Sequence, residues 1–182
     1  MRTFNVPKKD EVSTQNQTIF DQLESAVGFV PNLYATYAYS DSALERYLAF
    51  ANGKTSLTLK EKEIVNLAVS QVNGCDYCLS AHTAIGTNAG FSADEIIEFR
   101  TGASTKSTKY NALASLAKNL TEQRGTAKET ELEAFFNEGY SEEQFIDLIV
   151  QVGEKTISNY VHNATQVPID FPLAPTLTLE TV

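Results

Sequence analysis

Helix start signals recur along this chain and constrain its fold class more than any other feature of the sequence. In each of them a serine or threonine is followed three residues later by glutamate or glutamine. The two side chains can then satisfy free backbone N–H groups at a helix N-terminus. The four pairs are Ser42 with Glu45, Thr58 with Glu61, Ser92 with Glu95, and Ser141 with Gln144. Glycines suited to ending helices stand at Gly74, Gly90, Gly102, Gly125 and Gly139.

No run of alternating apolar residues bounded by turns predicts a β-strand. We therefore predict an all-α fold of about eight to nine helices. The predicted ranges are 16–26, 31–39, 42–53, 58–72, 75–89, 92–101, 107–123, 127–138 and 141–164.

The two ends of the chain differ from this helical pattern. With 182 residues in all, we expect a single helical domain over 1–165 that begins with a short polar arm. The tail, 166–182, contains Pro168, Pro172 and Pro175, and this density of proline prevents a helix. We expect an extended tail that lies across the domain or a neighbouring subunit, or one that frays.

The charge balance limits the class of partner. Lysine and arginine total 14 against 23 acidic residues, a net charge of −9, which argues against nucleic acid or an anionic membrane surface as the main partner. No apolar run approaches the roughly 20 residues that span a bilayer. The start of the chain lacks the apolar stretch of a signal peptide, and the expected location is cytoplasmic.

The two cysteines of the chain, Cys75 and Cys78, are three residues apart and share one helix face with His82. Because Gly74 ends the preceding helix, Cys75 is predicted at the N-terminus of the next one. There, free N–H groups and the helix dipole stabilise a thiolate. The histidine one turn after Cys78 can take its proton. The spacing is therefore typical of an activated dithiol.

Glu63 is a candidate third group, because it lies on the preceding helix and could orient His82 or hold a water that relays its proton. Glu61 is better explained as the capping partner of Thr58. A zinc site remains an alternative, although the segment offers three of the four usual ligands and His162 is distant. Two buried cysteines that act as small apolar residues are another alternative.

Other features have simpler interpretations. His162 is predicted to cap the end of the last helix, where a partial positive charge is favourable. Aromatic residues cluster before the cysteines, and we expect them to lie in the core, at a subunit interface or in the wall of a substrate pocket. They are Tyr34, Tyr37, Tyr39, Tyr47 and Phe50.

The motif Glu63-x11-Cys75-Asp76-Tyr77-Cys78-x3-His82 resembles the signature of the alkylhydroperoxidase D-like branch of the carboxymuconolactone decarboxylase superfamily. The resemblance covers 30–165 and implies a helical fold. It also implies that Cys78 attacks a peroxide or disulfide and that Cys75 closes an intramolecular disulfide. By the same resemblance His82 is the base that takes the thiol proton, directly or through water, and Glu63 is the other end of this proton relay.

The resemblance further implies a homo-oligomer that needs no metal, flavin or haem and takes electrons from an external dithiol, either a protein or a lipoyl-type compound. Some family members have a second histidine immediately before the second cysteine, where this chain has Tyr77. A phenol can donate a hydrogen bond but is a poor base at neutral pH, so Tyr77 is a possible supporting residue.

The expected activity is thus that of a thiol-dependent peroxidase or disulfide oxidoreductase. Two alternatives stay open. One is a non-redox lyase or hydrolase of the carboxymuconolactone decarboxylase type that uses His82 and Glu63 as acid and base. The other is a non-catalytic redox sensor on the same fold.

Overall fold

In the computed structural model, residues 4–177 are described. They form a short 3-10 turn at Lys9–Glu11 and nine α-helices, with no strand among them. The helices are α1 (Thr14–Val27), α2 (Asn32–Tyr37), α3 (Ala43–Ala51), α4 (Leu59–Val72), α5 (Asp76–Asn88), α6 (Ala93–Thr101), α7 (Thr108–Glu122), α8 (Glu129–Asn137) and α9 (Glu142–Thr165). The predicted all-α class is confirmed, and each predicted boundary lies within two residues of the observed one.

Three of the four predicted capping pairs form. The N-cap side chains of Thr58, Ser92 and Ser141 each accept a hydrogen bond from the backbone N–H three residues on. The side chain at that third position in turn accepts one from the backbone N–H of the N-cap residue. The prediction for Ser42 is wrong, because its side chain makes no capping hydrogen bond. Capping needs an extended backbone at the N-cap, and Ser42 instead has φ −120° and ψ −12°.

Helix α4 lies at the centre of the molecule and contacts α5, α6, α7 and α9. Its residues from Glu63 to Ser70 are all buried, so the helix is surrounded by protein on every side over two turns. One apolar cluster packs α4 against α6, α7 and α8 through residues that include Leu67, Phe99 and Phe135. A second cluster joins α1, α2 and α3 to the start of α5 and contains both cysteines.

Past α9 the chain runs back over the helices without regular secondary structure; we call residues 166–177 the C-terminal strap. The carboxylate of Asp170 accepts a hydrogen bond from the backbone N–H of Asn32 at 2.7 Å. The backbone N–H of Ala174 donates to the Ser80 hydroxyl at 3.1 Å, and Arg100 donates to the Pro175 carbonyl at 2.7 Å. The strap therefore crosses α2, α5 and α6.

Residues 178–182 of the predicted tail lie outside the described residues, and the division into a domain over 1–165 and a tail stays a prediction. Within the described part of the chain, no helix has the length and apolar character that crossing a bilayer requires.

Candidate active site

Cys75 and Cys78 lie at the junction of α4 and α5. Gly74 makes this junction possible, since it adopts a left-handed φ of +62° that a side chain would disfavour. Cys75 is the N-cap of α5, and its sulfur accepts a hydrogen bond from the backbone N–H of Cys78 at 3.2 Å. The two sulfurs form a disulfide with a Cα–Cα distance of 5.3 Å. Both side chains are buried.

His82 lies one turn after Cys78, and the structure brings it together with Glu63 of α4. The Nδ1 atom of His82 is 2.7 Å from Oε2 of Glu63. Because a carboxylate accepts, Nδ1 carries the donated hydrogen and Nε2 is left free to accept a proton. Asn66 donates to the other oxygen of Glu63 at 3.0 Å.

The pKa of Glu63 reflects opposing influences. Burial raises it, but the charge and hydrogen bond of His82, the charge of Lys155 and the hydrogen bond from Asn66 together bring the pKa below its ordinary value of 4.5. Glu63 is therefore an ionised acceptor that fixes the orientation of the imidazole. Glu61, as predicted, instead pairs with Thr58 in the capping box of α4.

A cavity of about 200 Å³ opens beside the disulfide. Cys78 and His82 line it, whereas Cys75 is absent from its wall, so Cys78 presents the sulfur that a small molecule in the cavity would meet. Apolar side chains of α1, α2 and α5 form part of the wall. The aromatic residues of the wall are Tyr34, Tyr47, Tyr77 and Phe171, the last from the C-terminal strap.

The aromatic residues predicted to lie in the core, at an interface or in a pocket wall have different positions in the structure. Tyr34 and Tyr47 line the cavity, and Tyr37 stacks on Tyr47 with ring centroids 4.5 Å apart. Tyr39 and Phe50 are exposed instead.

Tyr77 has a hydroxyl that is already engaged. It accepts a hydrogen bond from the backbone N–H of Leu33 at 3.2 Å and contacts the Asp170 carboxylate. Burial, and next the hydrogen bond to Asp170, raise the pKa of Tyr77. The phenol therefore keeps its proton at neutral pH, while its ring forms part of the cavity wall.

Apart from His162, sequence reasoning missed a group of buried polar residues on α9. Gln151 donates to Asn66 at 2.8 Å and to Glu154 at 2.7 Å, and Glu154 also accepts from the hydroxyl of Tyr47. Lys155 lines the cavity next to Glu154. The positions share one helix face by their spacing, but this spacing does not indicate that the face is buried. They are Gln151, Glu154, Lys155, Ser158, Asn159 and His162.

His162 does lie at the end of the last helix, but the predicted favourable charge there is wrong. Its Nε2 donates to the carbonyl of Val167 at 3.2 Å, and its ring packs 5.3 Å from that of Tyr77. Burial lowers the pKa of His162, so the imidazole is neutral at neutral pH and caps by hydrogen bonding alone. Among residues 4–177, no three or more His, Cys, Asp and Glu side chains group closely enough to hold a metal ion.

Comparisons with known proteins agree with the sequence resemblance. Residues 41–119 match the model of the carboxymuconolactone decarboxylase family. The uncharacterized protein YdfG of Bacillus subtilis (strain 168) is 25% identical over 103 residues, which are 56% of this chain and 70% of that protein.

Solved structures share the fold at low sequence identity. A peroxidase-related protein from Ralstonia eutropha JMP134, described as an alkylhydroperoxidase AhpD core, superposes with a TM-score of 0.79 at 20% identity and covers 98% of this chain and 93% of its own. The debrominase Bmp8 in complex with 2,3,4-tribromopyrrole superposes with a TM-score of 0.76 at 18% identity and covers 93% of each chain. The expected fold is confirmed, and the match over residues 41–119 agrees with the expected family resemblance.

Proposed function

Since residues 41–119 match the model of the carboxymuconolactone decarboxylase family and the chain has the alkylhydroperoxidase D-like fold, we propose that it is a thiol-dependent peroxidase and disulfide oxidoreductase. Its reducing equivalents come from an external dithiol, and its role is antioxidant. The observation that carries the proposal is the position of Cys78 and His82 on one cavity, with Cys75 paired to Cys78 and Glu63 paired to His82.

The proposed cycle begins with the reduced pair. Nε2 of His82, directly or through a water, takes the proton of the Cys78 thiol, and Glu63 holds the imidazole in position. The thiolate attacks one peroxide oxygen, so that an S–O bond forms, the O–O bond breaks and the alkoxide leaves with a proton from His82. The products are an alcohol and a sulfenic acid on Cys78.

Cys75 then attacks the sulfur of the sulfenic acid, which forms the disulfide and releases water. An external dithiol reduces this disulfide by exchange and is itself oxidised to a disulfide. The balance is one hydroperoxide and one dithiol consumed for one alcohol, one water and one disulfide formed. Tyr77 acts through its ring in the cavity wall and not as a base, because its pKa is raised by burial.

The reductant in this proposal is a lipoyl-type dithiol in preference to a protein thiol. Cys78 is 2% exposed, and the cavity of about 200 Å³ is its route to small molecules. A slender dithiol reaches a sulfur in such a cavity more readily than a cysteine on a folded protein surface does. The cycle also requires a reducing compartment, so the cytoplasm is the proposed location.

Substitution of each cysteine tests the cycle. We expect Cys78→Ser to abolish peroxide consumption, because no thiolate is left at the cavity. Cys75→Ser retains the first step and accumulates a sulfenate or mixed disulfide on Cys78, since the partner that closes the disulfide is missing. Peroxide consumption, free-thiol titration and intact mass before and after one equivalent of peroxide measure both effects. Each variant serves as the control for the other.

The same measurements separate the alternatives. If both variants keep full peroxidase and disulfide-reductase activity, the proposal is wrong. An activity whose rate is unaffected by loss of both cysteines would favour the lyase or hydrolase that uses His82 and Glu63. If the disulfide forms but peroxide is not turned over, the protein is a redox sensor instead of a peroxidase.

A second candidate function is thiol-dependent removal of halogen from a small aromatic ring. The favouring observation is the cavity of about 200 Å³ with four aromatic side chains in its wall. An apolar cavity of about 150 Å³ suffices for benzene. A carbon–bromine bond and two thiols would give a carbon–hydrogen bond, a disulfide, bromide and a proton. In this case bromide release from 2,3,4-tribromopyrrole, and not peroxide consumption, is lost in Cys78→Ser.

A further inference from the structure

A buried lysine forms part of the cavity that contains Cys78 and His82. Lys155 is 6% exposed, and its ammonium lies 3.7 Å from a carboxylate oxygen of Glu154. In the described part of the chain this ammonium makes that ion pair and no hydrogen bond. An ammonium carries three donors, and burial without acceptors is costly. The protein thus leaves donors of Lys155 available to whatever occupies the cavity.

The acidic groups near Lys155 are committed to other partners. Glu154 accepts from the Tyr47 hydroxyl and from Gln151, and Glu63 accepts from His82 and Asn66. Neither glutamate is among the described residues that line the cavity, and none of those residues is acidic. A bound molecule therefore meets the ammonium of Lys155 directly, whereas neither carboxylate is part of the cavity wall. This arrangement favours an anionic group beside Lys155.

Tyr34 offers a second donor in the same wall. Burial, with the charges of Glu154 and Glu63, raises its pKa to about 12, so the phenol keeps its hydrogen at neutral pH. The rest of the wall is apolar and aromatic, which suits the body of a small apolar molecule. Because about 150 Å³ accommodates benzene, a cavity of about 200 Å³ accommodates one ring with one small substituent.

We propose that Lys155 forms an anion-binding subsite in the Cys78 cavity and that the substrate is a small aromatic or similarly apolar compound that carries a carboxylate. The ring would pack on the aromatic wall with the carboxylate on Lys155, in the same cavity that Cys78 lines. The binding site itself is independent of turnover; only the identification of its ligand class with the substrate rests on the proposed function.

Binding of benzoate and of benzamide to the disulfide form of the full chain tests the subsite, because the two probes have the same shape and differ in charge. By isothermal titration calorimetry we expect benzoate to bind at least about tenfold more tightly than benzamide. Lys155→Met, which keeps an unbranched side chain of similar length, should lose this preference and leave the affinity for benzamide unchanged. Lys54→Met, at an exposed lysine outside the cavity wall, is the matched control and should bind benzoate as the wild type does.

A second measurement locates the site without any variant. In the reduced wild-type protein, benzoate should slow the alkylation of Cys78 by iodoacetamide, and benzamide at the same concentration should not. Equal affinity for the two probes, unchanged benzoate binding in Lys155→Met, or alkylation that benzoate does not slow overturns the subsite. None of these measurements uses peroxide, so an absence of peroxidase activity would count against the proposed function and leave the subsite standing.

Discussion

At the scale of single residues, the site depends on a buried chain of hydrogen bonds between three helices. His82 of α5 donates to Glu63 of α4, Asn66 of α4 donates to Glu63, and Gln151 of α9 donates to Asn66. Each link fixes the side-chain rotamer of the next, so the imidazole beside Cys78 is oriented by groups that do not touch a substrate. Loss of one link should therefore affect both stability and the site.

Glu63→Gln should destabilise the protein by about 2 kcal/mol at neutral pH, because it removes the charge that accepts from His82 and Asn66. The pKa of Glu63 is lowered from its ordinary 4.5, so the stability that its ionised form contributes is present above pH 4.5 and is lost as the pH falls through the lower folded-state value. The difference between the variant and the wild type should thus shrink below pH 4.5.

Urea unfolding at neutral pH and at about pH 3.5 measures this difference. Glu133→Gln, at an exposed glutamate, is the control and should differ little from the wild type at either pH. The interpretation of Glu63 as a buried ionised partner is contradicted if Glu63→Gln has the same destabilisation at both values.

Sequence reasoning brought Cys75, Cys78, His82 and Glu63 together because three of them share a helix face and the fourth lies on the adjacent helix of the same motif. It could not find Asn66 or Lys155. Asn66 lies in an apolar stretch of α4, where an amide gives no sign of its partner. Lys155 reaches the cavity from α9, and no local pattern specifies which part of a distant helix contacts α5.

At the scale of elements, the N-terminus of α4 is fixed by a reciprocal cap. Thr58 accepts from the backbone N–H of Glu61 at 3.2 Å, and Glu61 accepts from the backbone N–H of Thr58 at 2.8 Å. Because α4 contacts four other helices and carries Glu63 one turn into its length, this cap helps to fix the position of the site.

Thr58→Ala should lower the free energy of unfolding by about 1 kcal/mol, since it removes the side-chain half of the cap. Ser42→Ala is a matched control, because the sequence predicts the same capping pair there and the structure has no such bond. It should lower the free energy of unfolding by much less. Urea denaturation of both variants is the measurement, and equal destabilisation would contradict the assignment of the caps.

The sequence predicted the helices well but not the face that each one buries. Helix start and stop signals depend on residues close in the chain, so they do not depend on what the helix packs against. In α9 the usual amphipathic rule is reversed from Gln151 onward, since Glu154, Lys155 and Ser158 are buried whereas Ile157 and Tyr160 are exposed. The polar face points inward because its residues line the cavity or take part in the buried chain of hydrogen bonds. Hydropathy alone cannot predict that a polar face is buried.

At the scale of the whole molecule, α9 therefore presents an apolar stripe on its outer side. The side chains of this stripe are Ile146, Ile149, Val150, Ile157 and Tyr160. Gly153 lies among them, and a Cβ added there would meet nothing within 4 Å, so the backbone is open to close approach. A twofold axis through such a face brings the stripe against its own copy. We expect this stripe to be the contact of the homo-oligomer that the family resemblance implies.

Ile157→Glu should reduce the mass in solution from that of an oligomer to that of a monomer, because it places a charge in the centre of the stripe. Leu59→Glu is the matched control, since Leu59 is 80% exposed and lies on another helix. It should leave the oligomer intact. Sedimentation equilibrium measures both. A wild-type protein that is monomeric, or an Ile157→Glu variant with unchanged mass, would show that the stripe is not this contact.

The C-terminal strap has a consequence for the order of events during translation. Phe171 closes the cavity beside Cys78, yet the ribosome adds it more than ninety residues after that cysteine. At bacterial or eukaryotic elongation rates this interval is on the order of 5–20 s. During that time the residues of the α4–α5 junction have been synthesised and Phe171 has not. The strap is therefore the last part of the cavity wall to be synthesised, and the wall beside Cys78 is complete only after the strap docks.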